Sequence, residues 1–257
     1  MILCLDVGNS EVHGGLFNPK GELFFQFRKN TKNVNSSDEM GLFLKLVLRE
    51  NDVEPSSIKK ISICSVVPES LHSIQNACLK YFSIRPFILK AGKKTGLKIK
   101  YNNPLEVGTD RIANAIASTH MFPNENTINV DLGTATTFCA INDKSEYLGG
   151  AIMPGLKISM TSLVSNTAKL PSVALIPQDN TLGKSTAENI QSGLYWAHTG
   201  AIKEITTNLK KECFPGEDCK IIGTGGFTRL FEGKSLFDVE EPNLVLNGLF
   251  LALKLNS

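Results

Sequence analysis

The sequence predicts an α/β protein built from two copies of one βββαβα unit, one in each half of the chain. Two observations carry that expectation. The strings Asp6-Val7-Gly8-Asn9-Ser10 and Asp131-Leu132-Gly133-Thr134-Ala135-Thr136-Thr137 each follow an apolar run, Ile2-Leu3-Cys4-Leu5 and Ile128-Asn129-Val130. Each then passes through small and hydroxyl residues into another apolar stretch, so each reads as strand, tight glycine turn, strand, with a carboxylate at the mouth of the turn. The second observation is that the elements after each string come in the same order.

In the first half, residues 2–8, 12–18 and 22–28 read as strands, with Asn18-Pro19-Lys20-Gly21 as the turn between the last two. Ser37-Asp38-Glu39-Met40 opens a helix to about Asn51, with Leu42, Phe43, Leu44, Leu46 and Val47 as its apolar positions. Lys60 to Val67 is a strand that ends at Pro68, residues 69–82 are a helix, and Pro86 to Leu89 is a short strand. The second half repeats this. Strands fall near 127–132, 136–142 and 146–152, and a helix follows Pro154-Gly155. A long helix spans about 185–212, then come the strand Lys220-Ile221-Ile222, a glycine turn over 223–226 and a last helix around 243–254. A helix over about 105–121 joins the copies, so the halves are 1–115 and 116–257. The βαβ portions imply partly parallel sheets covered by helices.

Bulk properties exclude several classes. The net charge of +2 gives no case for nucleic acid as a partner. No stretch of about 18 apolar residues is present, so no membrane partner is expected. The first strand begins at Ile2, which leaves no room for a signal peptide. Six cysteines at 4, 64, 78, 139, 213 and 219 form no C-x-x-C pair, and Cys4, Cys64 and Cys139 lie in apolar runs. They read as reduced core thiols of a cytoplasmic protein. The four histidines are scattered, which argues against a zinc cluster.

Several strings can carry chemistry. Successive N–H groups in an Asp-x-Gly turn make an anion-binding concavity, and a carboxylate beside bound phosphate calls for a cation between them. Either turn alone reads better as an ordinary hairpin with Asp as a turn former, but the matched pair points to a nucleotide gripped from both sides. Gly223-Thr224-Gly225-Gly226 would let a flat base approach the backbone. The chain has no Gly-x-Gly-x-x-Gly and no Walker A string. In Tyr101-Asn102-Asn103-Pro104-Leu105-Glu106-Val107-Gly108-Thr109-Asp110-Arg111, Asp110 and Arg111 fall at the start of a helix. Asp110 reads there either as a helix N-terminal acid favoured by the dipole or as a base for a hydroxyl proton with a cation beside it. Gly149-Gly150 and Pro154-Gly155 permit close packing on the backbone. Thr186, Gly193 and Gly200 recur on one face of the long helix, for packing within the domain or for a subunit interface, and Ile190, Leu194, Ala197, Ala201 and Ile205 form another stripe. The basic run 92–100 reads as a solvated loop and strand, with a phosphate-attracting rim as the alternative.

Taken together, these strings resemble the type III pantothenate kinases, within the superfamily of acetate and sugar kinases, Hsp70 and actin. The likeness runs through Asp6-x-Gly-Asn-Ser10, Ser65-Val66-Val67-Pro68, Tyr101-x-x-Pro104-x-x-x-Gly108-x-Asp110-Arg111, Asp131-x-Gly-Thr-Ala-Thr136, Gly149-Gly150-x-Ile-x-Pro154-Gly155, and Gly183-x-x-Thr186 before Gln191-Ser-Gly193. The resemblance implies duplicated actin-like (ribonuclease H-like) domains facing each other across a nucleotide cleft. It implies ATP-dependent phosphorylation of pantothenate to 4′-phosphopantothenate, the first step of coenzyme A synthesis. Asp6, Val7, Gly8, Asn9, Ser10, Glu11, Val12 and His13 would cradle the ATP phosphates, with Asp6 near Mg²⁺ through water, and Thr134 would touch ATP. Asp110 would accept the proton of the substrate hydroxyl. Tyr101, Gly108, Thr109, Asp110, Arg111 and Thr186 would bind pantothenate. Asp131 would hold a monovalent cation, K⁺ or NH₄⁺, and the chain would form a homodimer. Ser10 stands where many members carry threonine, which keeps the hydroxyl. The rival readings are another small-molecule kinase of the superfamily, for which the clamp fits equally, and a non-catalytic transcriptional accessory factor, which lacks a helix-turn-helix pattern or basic face.

Overall fold

Alternating apolar runs broken by Asn, Gly and Pro turns form the first three strands, β1 (Ile2–Val7), β2 (Glu11–Phe17) and β3 (Leu23–Asn30). The computed structural model describes residues 1–31 and 36–257. Helix α1 (Ser37–Arg49) starts where the Ser36 side chain accepts the Glu39 N–H, a capping contact followed by acids that suit the helix dipole. Strand β4 (Lys60–Ser65) runs into α2 (Pro68–Phe82), whose proline occupies the first turn, where no N–H is missed. β5 (Phe87–Ile88) follows.

The first sheet has the order β3-β2-β1-β4-β5. β1 pairs antiparallel with β2 and parallel with β4, in a register that sets Asp6 beside His13 on one side and Cys64 on the other. Alternate residues point to opposite faces. Leu3, Leu5, Val7, Val12, Leu16, Ile61 and Ile63 therefore share a core with Met40, Leu44 and Leu48 of α1 and Ile74 and Ala77 of α2. The side chains of Val7 and Val12 are committed to this core.

After β6 (Lys98–Ile99), helix α3 (Thr109–Met121) leads into β7 (Asn126–Leu132), β8 (Ala135–Ile141) and β9 (Glu146–Pro154). Then come α4 (Leu156–Ser165), α5 (Thr186–Cys213), β10 (Cys219–Thr224), β11 (Val239–Glu240) and α6 (Leu244–Leu255). The second sheet is ordered β11-β10-β7-β8-β9-β6. Read from β9, its order and strand directions repeat those of the first sheet, with β6 added parallel at the β9 edge. The strands of the expected duplication are thus all present, although between β10 and β11 the chain makes only a 3-10 turn, Thr228–Phe231, where the first sheet has α2.

The two compact units are not the sequential halves 1–115 and 116–257. One comprises residues 1–97, 102–117 and 244–257; the other comprises 98–101 and 118–243. The reason is α6. Leu244, Leu246, Leu249, Ala252 and Leu253 are all buried, and such a helix must be covered on most sides. It lies on the face of the first sheet opposite α1 and α2. Ser62 Oγ donates to the Leu249 carbonyl at 2.9 Å, and Phe250 stacks on Phe17 with ring centroids 5.1 Å apart. Gly248 lets α6 touch the backbone of α3, since an added Cβ would collide with the Ala113 carbonyl.

The helix expected over 105–121 is shorter. Pro104–Glu106 forms one 3-10 turn, Val107 is extended, and α3 begins only at Thr109. On α5 the buried line runs through Leu194, Tyr195, His198 and Ile202, and Ala197 lies outside it with Gly193 and Gly200. His198 accounts for this shift, because its ring nitrogens lie 2.9 Å from the Leu194 carbonyl and 3.3 Å from that of Pro154.

Because α3 and α6 meet backbone to backbone, Gly248→Ala should destabilise the protein by about 1–3 kcal/mol through overpacking. Urea unfolding measures this, and a midpoint equal to that of the native chain would contradict the contact.

Candidate active site

The first Asp-x-Gly turn is closed by its own backbone. The Gly8 N–H donates to the Glu11 carbonyl at 3.0 Å, Thr31 Oγ1 donates to the Gly8 carbonyl at 2.7 Å, and the Thr31 N–H donates to the Ser10 carbonyl at 3.0 Å. Glu11 forms an exposed ion pair with Arg28 at 3.1 Å. Asp6, at the end of β1, accepts a hydrogen bond from the Cys64 thiol through Oδ1 at 3.2 Å. Cys64 is fully buried, and burial pushes its thiol well above the ordinary range, with the carboxylates of Asp6 and Asp110 adding to the shift. The thiol thus lies in the field of both carboxylates.

Asp110 is brought there by Thr109. The Thr109 hydroxyl donates to the Ser65 carbonyl at 3.1 Å and accepts the Ser65 N–H at 3.2 Å, which pins the start of α3 to the end of β4. The Gly108 carbonyl accepts the Ile112 N–H in the first helical turn, and Asp110 Oδ1 accepts the Arg111 N–H at 2.8 Å. A side chain at position 108 would collide with Asp110 Oδ1, so glycine there leaves room for the carboxylate. The Arg111 guanidinium lies 3.4 Å from the Glu106 carbonyl.

In the second unit, Asp131 ends β7 in the place that Asp6 holds in β1, with Thr137 and Thr224 beside it on the neighbouring strands. The turn after β10 crosses next to it. Gly225 has φ of 92°, and an added Cβ would lie 2.5 Å from Asp131 Oδ1. The Phe227 N–H donates to the Leu132 carbonyl at 3.2 Å, which ties this turn to β7. Gly155, at the start of α4, packs on the carbonyls of Gly133 and Thr134, which explains the Pro154-Gly155 string. Tyr101 packs edge-on against Tyr147 and lies over Gly149. Thr186, in the first turn of α5, lines a cavity of about 350 Å³ with Leu163, Leu170, Asn189, Ile190, Gly193 and Leu194.

The first unit therefore contains residues 6–13 and 108–111, with Asp6 bonded to Cys64 and Asp110 on a helix that starts at the end of β4. The second unit contains Tyr101, Asp131, Thr134 and Thr186, with Asp131 against the glycine turn. The basic run is a solvated segment. Lys98 and Lys100 pair with Glu146, and Lys93 lies over the Phe87 ring. One contributor escaped the sequence reading: Cys64 read as a core thiol, and its place opposite Asp6 depends on the strand register. Thr109, expected at the substrate, also holds the backbone of Ser65 with its hydroxyl.

Two copies of one βββαβα unit, each with an aspartate at the end of its first strand and a glycine turn after it, define the actin-like class of duplicated α/β proteins. The activator of 2-hydroxyisocaproyl-CoA dehydratase from Clostridium difficile, solved with bound ADPNP, shares this fold with a TM-score of 0.52 at 10% identity, covering 99% of this chain and 95% of that one. A profile of the type III pantothenate kinases matches residues 2–208. A type III pantothenate kinase of Legionella pneumophila (strain Paris) is 56% identical over 257 residues, 100% of both chains. One from Elusimicrobium minutum (strain Pei191) is 44% identical over 256 residues, covering 100% of this chain and 99% of that protein. The chain belongs to the type III pantothenate kinase family.

His13, the last residue of the first turn segment, is buried, with Nε2 2.8 Å from Gln26 Oε1. Burial, and then the Arg28 cation, lower it from 6.5 to about 4, against the opposing effects of Gln26 and Glu11. The unfolded chain takes up this proton near 6.5 and the folded chain only near 4, so its stabilising effect is complete above 6.5 and is lost as pH falls through that window. The melting temperature should fall by several degrees across this range, and His13→Gln should flatten the fall. An equally steep decline in the variant would count against the assignment.

Proposed function

We propose that the chain transfers the γ-phosphoryl group of ATP to the primary hydroxyl of pantothenate, giving 4′-phosphopantothenate and ADP in the first step of coenzyme A synthesis. The observation that supports it most directly is that the start of α3, which carries Asp110, is bonded through Thr109 to the end of β4, the strand paired in parallel with that of Asp6. One carboxylate stands beside a glycine turn suited to phosphate, and the other stands at a helix start suited to a hydroxyl substrate.

The oxygen donors fit the ions this chemistry needs. Mg²⁺ is usually held by one or two carboxylates and the substrate's own phosphates, so Asp6 suffices, directly or through water. Asp131, with threonines on both neighbouring strands and the Gly225 backbone beside it, offers oxygen donors suited to K⁺ or NH₄⁺. When bound, these cations neutralise phosphate charge as the phosphoryl group moves.

The protein's own groups do the rest. Residues 6–13 hold the phosphates, with Val7 and Val12 offering backbone alone, and Thr134 contacts ATP. Asp110 accepts the hydroxyl proton, freeing an oxygen lone pair to attack the γ-phosphorus while the bond to the ADP oxygen breaks. Gly108, Arg111, Tyr101 and Thr186 bind pantothenate, whose carboxylate suits the Arg111 cation, and Thr109 acts by positioning Asp110. A homodimer fits the exposed face of α5, where an added Cβ at Gly193 or Gly200 would meet no atom within 4 Å. No helix among the described residues is long and apolar enough to cross a membrane, and six cysteines with no disulfide between them suit the cytoplasm.

Offered ATP with pantothenate, glucose or acetate, the protein should consume ATP with pantothenate alone. Asp110→Asn should lower kcat by about 10²–10⁴-fold while ATP still binds. Near-native turnover in that variant, or preference for glucose or acetate, would overturn the reading. Replacing K⁺ by Na⁺ should slow the native enzyme, and Asp131→Ala should erase the difference. A variant that still distinguishes the two cations would remove Asp131 from that role.

A further inference from the structure

We infer that Cys64 is a positioning residue for phosphoryl transfer: its thiol holds the Asp6 carboxylate in the orientation from which it meets the cation carried by ATP. The inference rests on the reading of Asp6 given above. Three observations lead to it. The parallel register of β1 and β4 makes Asp6 and Cys64 direct neighbours on one face of the sheet. The thiol donates to Oδ1 at 3.2 Å from a fully buried position, whereas Asp6 is half-buried, so the bond ties the carboxylate from the protein's interior. The equivalent position in the second unit, opposite Asp131 on β10, is Thr224, again a buried residue with a hydrogen to donate.

The chemistry explains why a thiol is suitable. A lysine or arginine here would neutralise Asp6 and compete with the cation. A thiol is a neutral, weak donor, so it can fix the rotamer while leaving the negative charge for the metal. Val67 and Pro68 turn the chain away just beyond β4, so the donor at position 64 is built into a rigid strand rather than a loop.

The test uses the full-length enzyme and compares Cys64→Ala, Cys64→Ser, Asp6→Asn and the Asp6→Asn/Cys64→Ala pair. Alanine and serine are of nearly equal size, so the first two differ in the donor alone. The readouts are the Mg²⁺ concentration for half-maximal rate and the melting temperature. Cys64→Ala should raise that concentration about three- to tenfold, as expected for one lost hydrogen bond. Cys64→Ser should restore it to within about twofold, and Cys64→Ala should add little once Asp6 is Asn. Should the alanine variant not fold, Cys64→Val serves as the donor-free arm.

Native Mg²⁺ dependence in Cys64→Ala, equal shifts in the alanine and serine variants, or effects that multiply in the pair would overturn the inference while Asp6 keeps its role. Native Mg²⁺ dependence in Asp6→Asn would overturn the reading of Asp6 and the inference together.

Discussion

The parallel pairing of β1 with β4 is the constraint on which the first site depends. Parallel strands end on the same edge of a sheet, so the last residues of β1 and β4 come out side by side. That edge receives Asp6 from one strand and Cys64 and Ser65 from the other. The Thr109 hydroxyl then uses both backbone groups of Ser65 to start α3 at the same place. Each contact alone contributes modestly. Their effect is geometric, since a helix carrying an aspartate more than a hundred residues away in sequence is made to start at the strand end next to that of Asp6. The backing of α3 by α6 extends this constraint through the unit, because α6 reaches the same strands from the far end of the chain.

Duplication supplied a second strand end with the same geometry, and the two have diverged. Beside Asp6 lies a thiol on a strand that turns directly into the proline of α2. Beside Asp131 lies Thr224, followed by Gly225 with positive φ, whose lack of a side chain lets the backbone pass within reach of the carboxylate. Asp131 is therefore bordered by main chain as well as by threonines on the neighbouring strands. That difference in surroundings is what favours the proposed assignment of a divalent ion to Asp6 and a monovalent one to Asp131.

Much of this was legible in the chain itself. Glycine turns after apolar runs marked both strand pairs, and the matched order of elements marked the duplication before any coordinate. Pro68, Pro154-Gly155 and Ser37-Asp38-Glu39-Met40 marked where helices start. Less legible was the class of residue whose role comes from a neighbour distant in sequence. Cys64 sits in an apolar strand and reads as core until the register sets it against Asp6. Thr109 reads as a ligand contact within a family string, and nothing in that string announces that its hydroxyl bonds to Ser65. On α5 the apolar stripe was displaced because His198, a polar residue, is buried by accepting a structural role between Leu194 and Pro154.

By itself, then, the sequence determined the local periodicities, the turns, the duplicated order and the family strings, because these depend on residues close together along the chain. Only the tertiary structure decided that α6 joins the first unit, that Asp110 shares an environment with Asp6, and that a buried thiol touches the latter. Those outcomes depend on strand register and on helix faces burying apolar surface against whichever sheet accepts them. Such pairings arise between distant segments, where neither partner alone carries the signal.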